Sequence, residues 1–510
     1  MPPDGNDVLQ LTDPRTGESA GEMPCTPLSE VPAHVNRARA AGRLWRARPL
    51  DERKAAVEAL AAAFLARGRD IVRVLGEEIG KPAGEAWTSE VVTSSELVPA
   101  WLDMIDDELD PVEVPLNPVN YPMKSVQVVP EALGVIGLIM PWNYPVNLPL
   151  RTIVPALLAG NAVALKPSEL APRCGALLAE IFAASLPADL VVTVIGGPAH
   201  GAALIDAGVD KVIFTGSVAG GRKVAAHAAS KLVPSACELG SKDAAIVLHD
   251  CKLDRTVAGI TWGAFHNAGQ DCASIERVYV DRRIHDVFVE RLVAAAQALR
   301  VGEDLGPLVS AQALEKVHAQ VSEAVERGAR VLCGGAPVGT GFYYPATVLV
   351  NVPPDCALMR EETFGPVVPV AAFDTEDQAV ELANDSAFGL CVSVWSRDHA
   401  RASALAVRVE CGVSFVNNCC FTGPMGGAAW GGRKESGFGA TGSKWALAGL
   451  VHPRTVVVDK SFQAKEMWWY PYTPALATMA EGLVEIGRSG GAKFAGARLA
   501  ISGLLGRWKV

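Results

Sequence analysis

Between residues 30 and 75 apolar side chains recur at i, i+3 and i+4: Val35, Ala38, Ala41 and Leu44, then Val57, Leu60, Ala61, Phe64 and Leu65. This spacing predicts two amphipathic helices, with Pro49 marking the break between them. From Val126 the texture changes to short apolar runs at 134–140, 161–166, 190–195 and 211–215, which read as buried strands. Helical patterns at 172–184 and 218–230 separate them, so the array predicts a largely parallel, Rossmann-like sheet with helices on both faces. A second strand and helix series starts near Asp243 and continues through Glu276–Val280, Ala329–Leu332, Val367–Ala371 and Val413–Asn417, implying a second α/β domain. The segments 120–130 and 454–459 read as edge strands outside the main sheets.

Composition adds limits to this picture. At 510 residues the chain exceeds one usual core, so two or three domains and a deep cleft between them are expected. A charged fraction of 20% and an apolar fraction of 49% fit an ordinary folded soluble protein. The net charge of -10, without a basic stripe interleaved with aromatics, argues against nucleic acid as a partner and for a small molecule. The first residues show neither a basic n-region nor an apolar h-region, so a cytoplasmic location is expected. Eleven cysteines without short repeated spacings read as reduced thiols, and nine histidines without a His-x-x-x-His pair give no expectation of a metal site.

Several short runs carry candidate chemistry, each with a bland alternative. Lys166-Pro167-Ser168-Glu169 ends the second strand, where open α/β sheets bind ligands, yet such a run is equally a solvated loop. Gly216 and Ser217 stand between a strand and a helix, where free N–H donors suit a phosphate; the same residues also suit a plain helix cap. No Gly-x-Gly-x-x-Gly accompanies them, so spacing supports a dinucleotide only weakly. Asn143 in Pro141-Trp142-Asn143-Tyr144-Pro145 suits a turn. Glu238 suits a surface, and Cys272, 34 residues later, suits a core, since cysteine ranks among the most buried side chains.

Taken in order, Glu78-Ile79-Gly80-Lys81-Pro82, Pro141-Trp142-Asn143, Lys166-Pro167-Ser168-Glu169, Phe214-Thr215-Gly216-Ser217, Glu238-Leu239-Gly240, Gly269-Gln270-Asp271-Cys272, Glu361-Glu362-Thr363-Phe364-Gly365-Pro366 and Ser436-Gly437-Phe438-Gly439 resemble the aldehyde dehydrogenase superfamily. The resemblance spans Asp13 to about Asp459. It implies an α/β aldehyde dehydrogenase-like fold: a cofactor domain over 1–114 and 133–239, a catalytic domain over 240–435, bridging or oligomerisation strands over 115–132 and 436–460, and an extension over 461–510.

The resemblance also implies roles. Cys272 matches the nucleophile that forms a thiohemiacetal and then a thioester, Asn143 a donor to the oxyanion, and Glu238 the carboxylate that activates water. Lys166 is carried with the catalytic set as well as with the cofactor set. Lys166 and Glu169 match positions at the adenosine ribose, Trp142, Gly216 and Ser217 those near the pyrophosphate, and Glu362 and Phe364 those at the nicotinamide ribose and ring. A carboxylate at Glu169 favours NAD over NADP. The reaction implied is oxidation of an aldehyde to the carboxylate by a homodimer or homotetramer. The alternatives are a CoA-acylating semialdehyde dehydrogenase, which usually lacks the hydrolytic glutamate, and a catalytically silent relative, which would have lost one of these residues.

Four places depart from the pattern. Ser241 follows Gly240 where a second glycine is usual, and Gly220 stands where a larger residue flanks adenine. Asp271 precedes the cysteine and opposes thiolate formation if it points inward; on extended chain it would point to the opposite side, toward solvent or a substrate-facing wall. Val146, Asn147, Asp271, Ala273 and 419–424 are the expected substrate-wall residues. In the extension, Phe494, Ile501, Leu504, Leu505 and Trp508 lie near helical spacing beside Lys493, Arg498, Arg507 and Lys509. Two readings stand: a basic amphipathic helix on an anionic membrane surface, or a tail docked on its own subunit or a neighbour.

Overall fold

A computed structural model of the chain describes residues 8–118, 121–420, 425–466, 468–488 and 493–507. Pro49, whose fixed φ suits the residue ahead of a helix, separates Val31–Trp45 from Leu50–Ala66 as expected. A third helix, Gly68–Glu78, follows where the sequence pattern ran on without a visible stop.

The first large sheet runs in the order Gly437–Phe438, Ser235–Glu238, Lys211–Thr215, Val135–Ile139, Ala162–Lys166, Val191–Thr193. Four of its five strand pairings are parallel, and only that of Gly437–Phe438 with Ser235–Glu238 is antiparallel. The chain leaves Val135–Ile139 in one direction and returns to its other side at Lys211–Thr215. That reversal opens a crevice at the carboxyl ends of the strands, the usual ligand position in such sheets.

The second sheet has the order Arg330–Cys333, Thr347–Val350, Val367–Phe373, Ile275–Asp281, Asp243–Val247, Cys391–Trp395, Val413–Val416. It is parallel except for Arg330–Cys333. Thr347–Val350 and Cys391–Trp395, both wholly buried, were not foreseen: each is at most five residues long, and Cys-Val-Ser-Val-Trp carries a polar residue mid-strand.

Two compact units emerge, Met1–Asp110 with Pro130–Arg454, and Pro111–Val129 with Thr455–Val510. Both large sheets lie in the first. Lys124–Ala132 and Val451–Asp459 lie outside the main sheets as expected, in a separate three-stranded sheet completed by Val112–Glu113; Val451–Asp459 is an edge there, but Lys124–Ala132 is the central strand, paired on both sides. The second unit ends in the helices Pro474–Gly487 and Lys493–Arg507. Among the described residues no helix is long and apolar enough to cross a membrane.

Candidate active site

Cys272 is delivered by an unusual turn. After the helix Leu253–Phe265, Asn267, Ala268 and Gly269 take φ values of +51°, +54° and +69° in succession. A Cβ on Gly269 would stand 2.2 Å from the Gly365 carbonyl oxygen, so only glycine lets the two backbones pass. Gln270 pins the turn: its Oε1 accepts from the Val309 N–H (2.9 Å), and its Nε2 donates to the carbonyls of Asn267 (3.0 Å) and Pro307 (3.3 Å).

Asn143 is tied to the same turn. Its Nδ2 donates to the Gln270 carbonyl (3.1 Å), and its own carbonyl accepts from Asn267 Nδ2 (3.1 Å) and Lys81 Nζ (2.7 Å). Lys81 is in turn paired with the fully buried Glu90 (2.7 Å). One N–H of the Asn143 amide is thus spent on holding position, and the other is available to a ligand oxygen.

Two cavities meet at Cys272. The first, about 540 Å³, is lined by Trp142, Asn143, Gly216, Ser217, Glu238, Gly240, Glu362 and Phe364 among others. The second, about 230 Å³, is lined by Tyr144, Asn147, Leu148, Arg151, Trp262, His266, Asp271, Ala273, Cys420 and Trp430 among others. The nucleophile candidate is common to both.

The first cavity fits a dinucleotide. Ser217 caps the helix Val218–Ser230, its Oγ accepting from the Gly220 N–H (3.1 Å), so the neutral cap leaves the positive helix end facing the crevice. A Cβ on Gly220 would meet the Phe214 ring at 2.9 Å; that ring fills the space where a larger residue was expected. Gly240 leaves room for the Glu362 carboxylate, which a Cβ there, 2.4 Å away, would displace. Glu362 accepts from the Ser241 N–H (3.0 Å), and burial, helped by the charge of Glu276, pushes its carboxyl up to about 7. The N–H groups of Thr363 and Phe364 are held by Glu276, itself paired with the buried Lys242 (2.6 Å). Trp142 and Phe364 meet edge to face at 5.7 Å.

Lys166 lines neither of the cavities that meet at Cys272. Its ammonium pairs with Glu169 (2.8 Å), and although burial opposes ionisation, Lys166 holds the Glu169 carboxyl below its ordinary range. Glu169 faces an adjoining hollow that shares Leu170, Val309, Ser310 and Gln312 with the first cavity.

Glu238 ends its strand 6% exposed; the Trp430 side chain approaches its carboxylate, but neither oxygen has a partner in good hydrogen-bond geometry. Burial pushes it up to about 8, partly offset by the charge of Arg151. Such a carboxyl is poised to take a proton near neutrality. Burial also raises the Cys272 thiol well above its ordinary value, followed by the negative charges of Asp271 and Glu238.

Asp271 and Cys272 line the same cavity, contrary to the expectation of opposite orientation. The alternation of a strand does not apply, because strand geometry begins only at Ile275. Asp271 is held by Tyr144 Oη (2.9 Å), His266 Nε2 (2.7 Å) and the Ala273 N–H (2.8 Å). His266 is buried, which disfavours its charge, yet its hydrogen bond to Asp271 outweighs this and lifts it to about 9. The other ring nitrogen faces the Trp262 carbonyl (3.0 Å), so both nitrogens meet acceptors, as an imidazolium requires.

Of the expected wall residues, Asn147, Asp271, Ala273 and Cys420 face the second cavity. Val146 and Cys419 pack in hydrophobic cores instead, and 421–424 lie outside the described residues. Tyr144, Arg151, His266 and Trp430 were missed. Arg151 had a signal: it is the sole charge in the buried helix Asn147–Leu158, Asn-Leu-Pro-Leu-Arg-Thr-Ile-Val-Pro-Ala-Leu-Leu.

A cysteine that lines both a dinucleotide-sized crevice and a smaller cavity, with a buried carboxyl lining the same crevice, is an arrangement that suits thiol-based oxidoreductase chemistry. The chain belongs to the aldehyde dehydrogenase family, whose profile matches residues 2–456. It is 34% identical over 459 residues to the succinate semialdehyde dehydrogenase [NAD(P)+] of Escherichia coli K12, covering 88% of this chain and 97% of that one. It is 35% identical to the 4,4'-diapolycopene aldehyde oxidase of a Methylomonas species, over 91% of this chain and 88% of that one. The solved structure of lactaldehyde dehydrogenase from Escherichia coli superimposes with a TM-score of 0.83 at 33% identity, covering 90% and 97% of the two chains. The protein is an enzyme that oxidises an aldehyde to the acid with NAD(P).

Proposed function

We propose that Cys272 is the nucleophile, with cofactor held in the larger cavity and aldehyde in the smaller. The observation that carries this is that one sulfur borders both. The Cys272 thiol gives up its proton to solvent, and the thiolate sulfur adds to the aldehyde carbon, whose C=O π electrons move onto the oxygen. The resulting oxyanion is met by the free N–H of Asn143 and the backbone N–H of Cys272. NAD(P), when bound, supplies the acceptor for the hydride that leaves this carbon. The carbon then remains on Cys272 as a thioester. Glu238 takes a proton from a water, whose oxygen attacks the thioester; the carbon–sulfur bond breaks, and the acid and the thiol are released. The unpartnered oxygens of Glu238 and its raised acidity constant support this role.

Trp142, Ser217, Glu362 and Phe364 hold the cofactor in this reading, with Lys166 and Glu169 at its adenosine end. NAD is preferred over NADP because the Glu169 carboxylate repels a 2′-phosphate. The enzyme assembles as a homo-oligomer: Val451–Asp459 is an edge strand that exposes Val456, Val457 and Val458, a ready template for pairing with a second copy.

The aldehyde carries an anionic group. Arg151 is 7% exposed and lines the smaller cavity, where it rests near Trp430 (5.7 Å), and among the described residues no ion pair holds it. Asp271 is already neutralised by His266, and Glu238 is largely protonated at pH 7. A buried guanidinium that no carboxylate pairs directly is costly, and a substrate carboxylate supplies such a partner. Two relatives named for semialdehydes of dicarboxylic acids, succinate and glutarate, agree with this class.

The test is a rapid-mixing measurement of NADH. Glu238→Gln is expected to give a burst near one NADH per active site and then a steady rate lower by about 10²–10⁴, while Cys272→Ala gives no burst. In the native enzyme the hydrolytic rate should rise as pH passes through about 8, because Glu238 acts only once ionised. A steady rate unchanged in either variant would overturn the assignment.

A further inference from the structure

The helices Pro474–Gly487 and Lys493–Arg507 form a hairpin whose seam is built from small residues. A Cβ on Gly482 would stand 2.2 Å from the Ala500 nitrogen, one on Gly503 2.3 Å from the Met479 nitrogen, and one on Gly496 2.8 Å from the Gly482 carbonyl oxygen. The backbones therefore touch, and among the described residues Met479 is the one large apolar side chain buried in the hairpin. Helical rotation places Phe494, Arg498, Ile501 and Leu505 on one face, opposite Gly496 and Gly503. Phe494 is 95%, Ile501 58% and Leu505 61% exposed.

A helix pair stable in water ordinarily shows the reverse, with large apolar side chains between the helices and polar ones outside. Small residues at the seam and large apolar ones outside is the packing found where the surroundings are themselves apolar. Two further observations indicate which apolar surroundings these are. The approach to the hairpin exposes Trp468, Tyr470 and Tyr472, rings that favour the headgroup level of a bilayer. Residues 460–510 also carry seven Lys or Arg against three Glu, a net charge of +4 in a chain whose total is -10. Arg498 stands among the apolar residues of the outer face, where its long stem lets the charge reach outward. With 14 and 15 residues, the helices are roughly 21–23 Å long, short of the roughly 30 Å needed to cross a hydrocarbon core.

We propose that the outer face of Lys493–Arg507 is a membrane-surface element that docks the enzyme on a bilayer with anionic headgroups. Phe494, Ile501 and Leu505 enter the boundary between headgroups and acyl chains, and Lys493 and Arg498 meet the headgroup charges. Nothing in this rests on which aldehyde is oxidised.

The test floats the full-length protein with vesicles of phosphatidylcholine alone or mixed with phosphatidylglycerol. Expected is binding about tenfold tighter to the mixed vesicles, weakened in about 0.5 M salt as the charges are screened. The variant Phe494→Glu/Ile501→Glu/Leu505→Glu should bind both at least about tenfold less, with NADH production from a soluble aldehyde and the mass in solution unchanged. Lys493→Glu/Arg498→Glu should lose only the preference for anionic vesicles. The proposal is overturned if the native protein floats with neither vesicle, or if the triple variant floats as the native does. It is equally overturned if the native protein ignores vesicles and the triple variant changes its mass in solution, which would make this face a contact between copies.

Discussion

On the cofactor side of Cys272 the walls are strand ends and the turns that follow them, such as Glu238–Gly240 after one strand and Gly216–Ser217 after another. Backbone does much of the work there: a helix end, a glycine that leaves room for the Glu362 carboxylate, N–H groups fixed by Glu276. On the other side of the same sulfur the wall is made of side chains from separate places, Arg151 on one helix, His266 after another, Trp430 on a distant loop. That wall holds three charged groups within one small cavity, His266 and Asp271 neutralising each other and Arg151 left without a direct ion pair. A crevice of backbone suits a ligand that never changes, whereas a wall of side chains is what one substitution can re-aim toward another aldehyde.

The contrast is most sharply broken at Asn143, which in the proposed mechanism serves the chemistry common to both sides. Asn143→Ala removes the proposed donor to the oxyanion and the Nδ2 hydrogen bond to the Gln270 carbonyl, while the backbone carbonyl that Asn267 and Lys81 bind is kept. A loss in kcat of about 10²–10³ is expected for every aldehyde, measured from steady-state NADH formation. A loss confined to some aldehydes would move Asn143 from the reaction into the substrate wall.

Arg151→Gln tests the lone charge. For an aldehyde ending in a carboxylate kcat/KM should fall by roughly 10- to 100-fold, chiefly through KM, as expected for a lost charged hydrogen bond. A neutral aldehyde of equal length should be oxidised as before. If both fall together, Arg151 serves Cys272 or Glu238 and not the substrate. Glu169→Gln probes the opposite end: an amide still accepts from a ribose hydroxyl but no longer repels a 2′-phosphate, so the preference for NAD should shrink by about tenfold in the ratio of kcat/KM values.

How much of each side was legible in the sequence follows from the same difference. The cofactor side is encoded in contiguous runs, Glu238-Leu239-Gly240 or Phe214-Thr215-Gly216-Ser217, because a turn after a strand needs adjacent small residues. The Cys272 turn is likewise contiguous. The substrate wall has no such run. Tyr144, Arg151, His266 and Trp430 converge only after two sheets and several helices are in place, and Asp271 was assigned a direction from strand alternation that its turn does not obey. The two strands missed in the second sheet have the same cause at another scale: Thr347–Val350 and Cys391–Trp395 are too short for periodicity to speak, and burial on both faces removes any alternation.

The smallest effect expected is the most diagnostic of the wall. His266 is lifted from its ordinary 6.5 to about 9 by Asp271, and Asp271 is held below its ordinary 3.8. A raised histidine stabilises the fold fully below 6.5 and loses that contribution as pH rises through about 9; a depressed aspartate contributes above 3.8 and loses it in acid. The pair therefore helps most between these limits. His266→Gln should lower the melting temperature by roughly a few degrees at pH 6, and the gap to the native enzyme should close by pH 10. It leaves Asp271 buried without its counter-charge beside Cys272, so alkylation of the thiol should also slow at neutral pH. Binding of NAD, measured by quenching of protein fluorescence, should be unchanged, since His266 faces only the substrate cavity. A melting gap that persisted at pH 10 would mean that the ring acts by filling space, stacked on Trp262 at 4.6 Å, and that its charge is incidental.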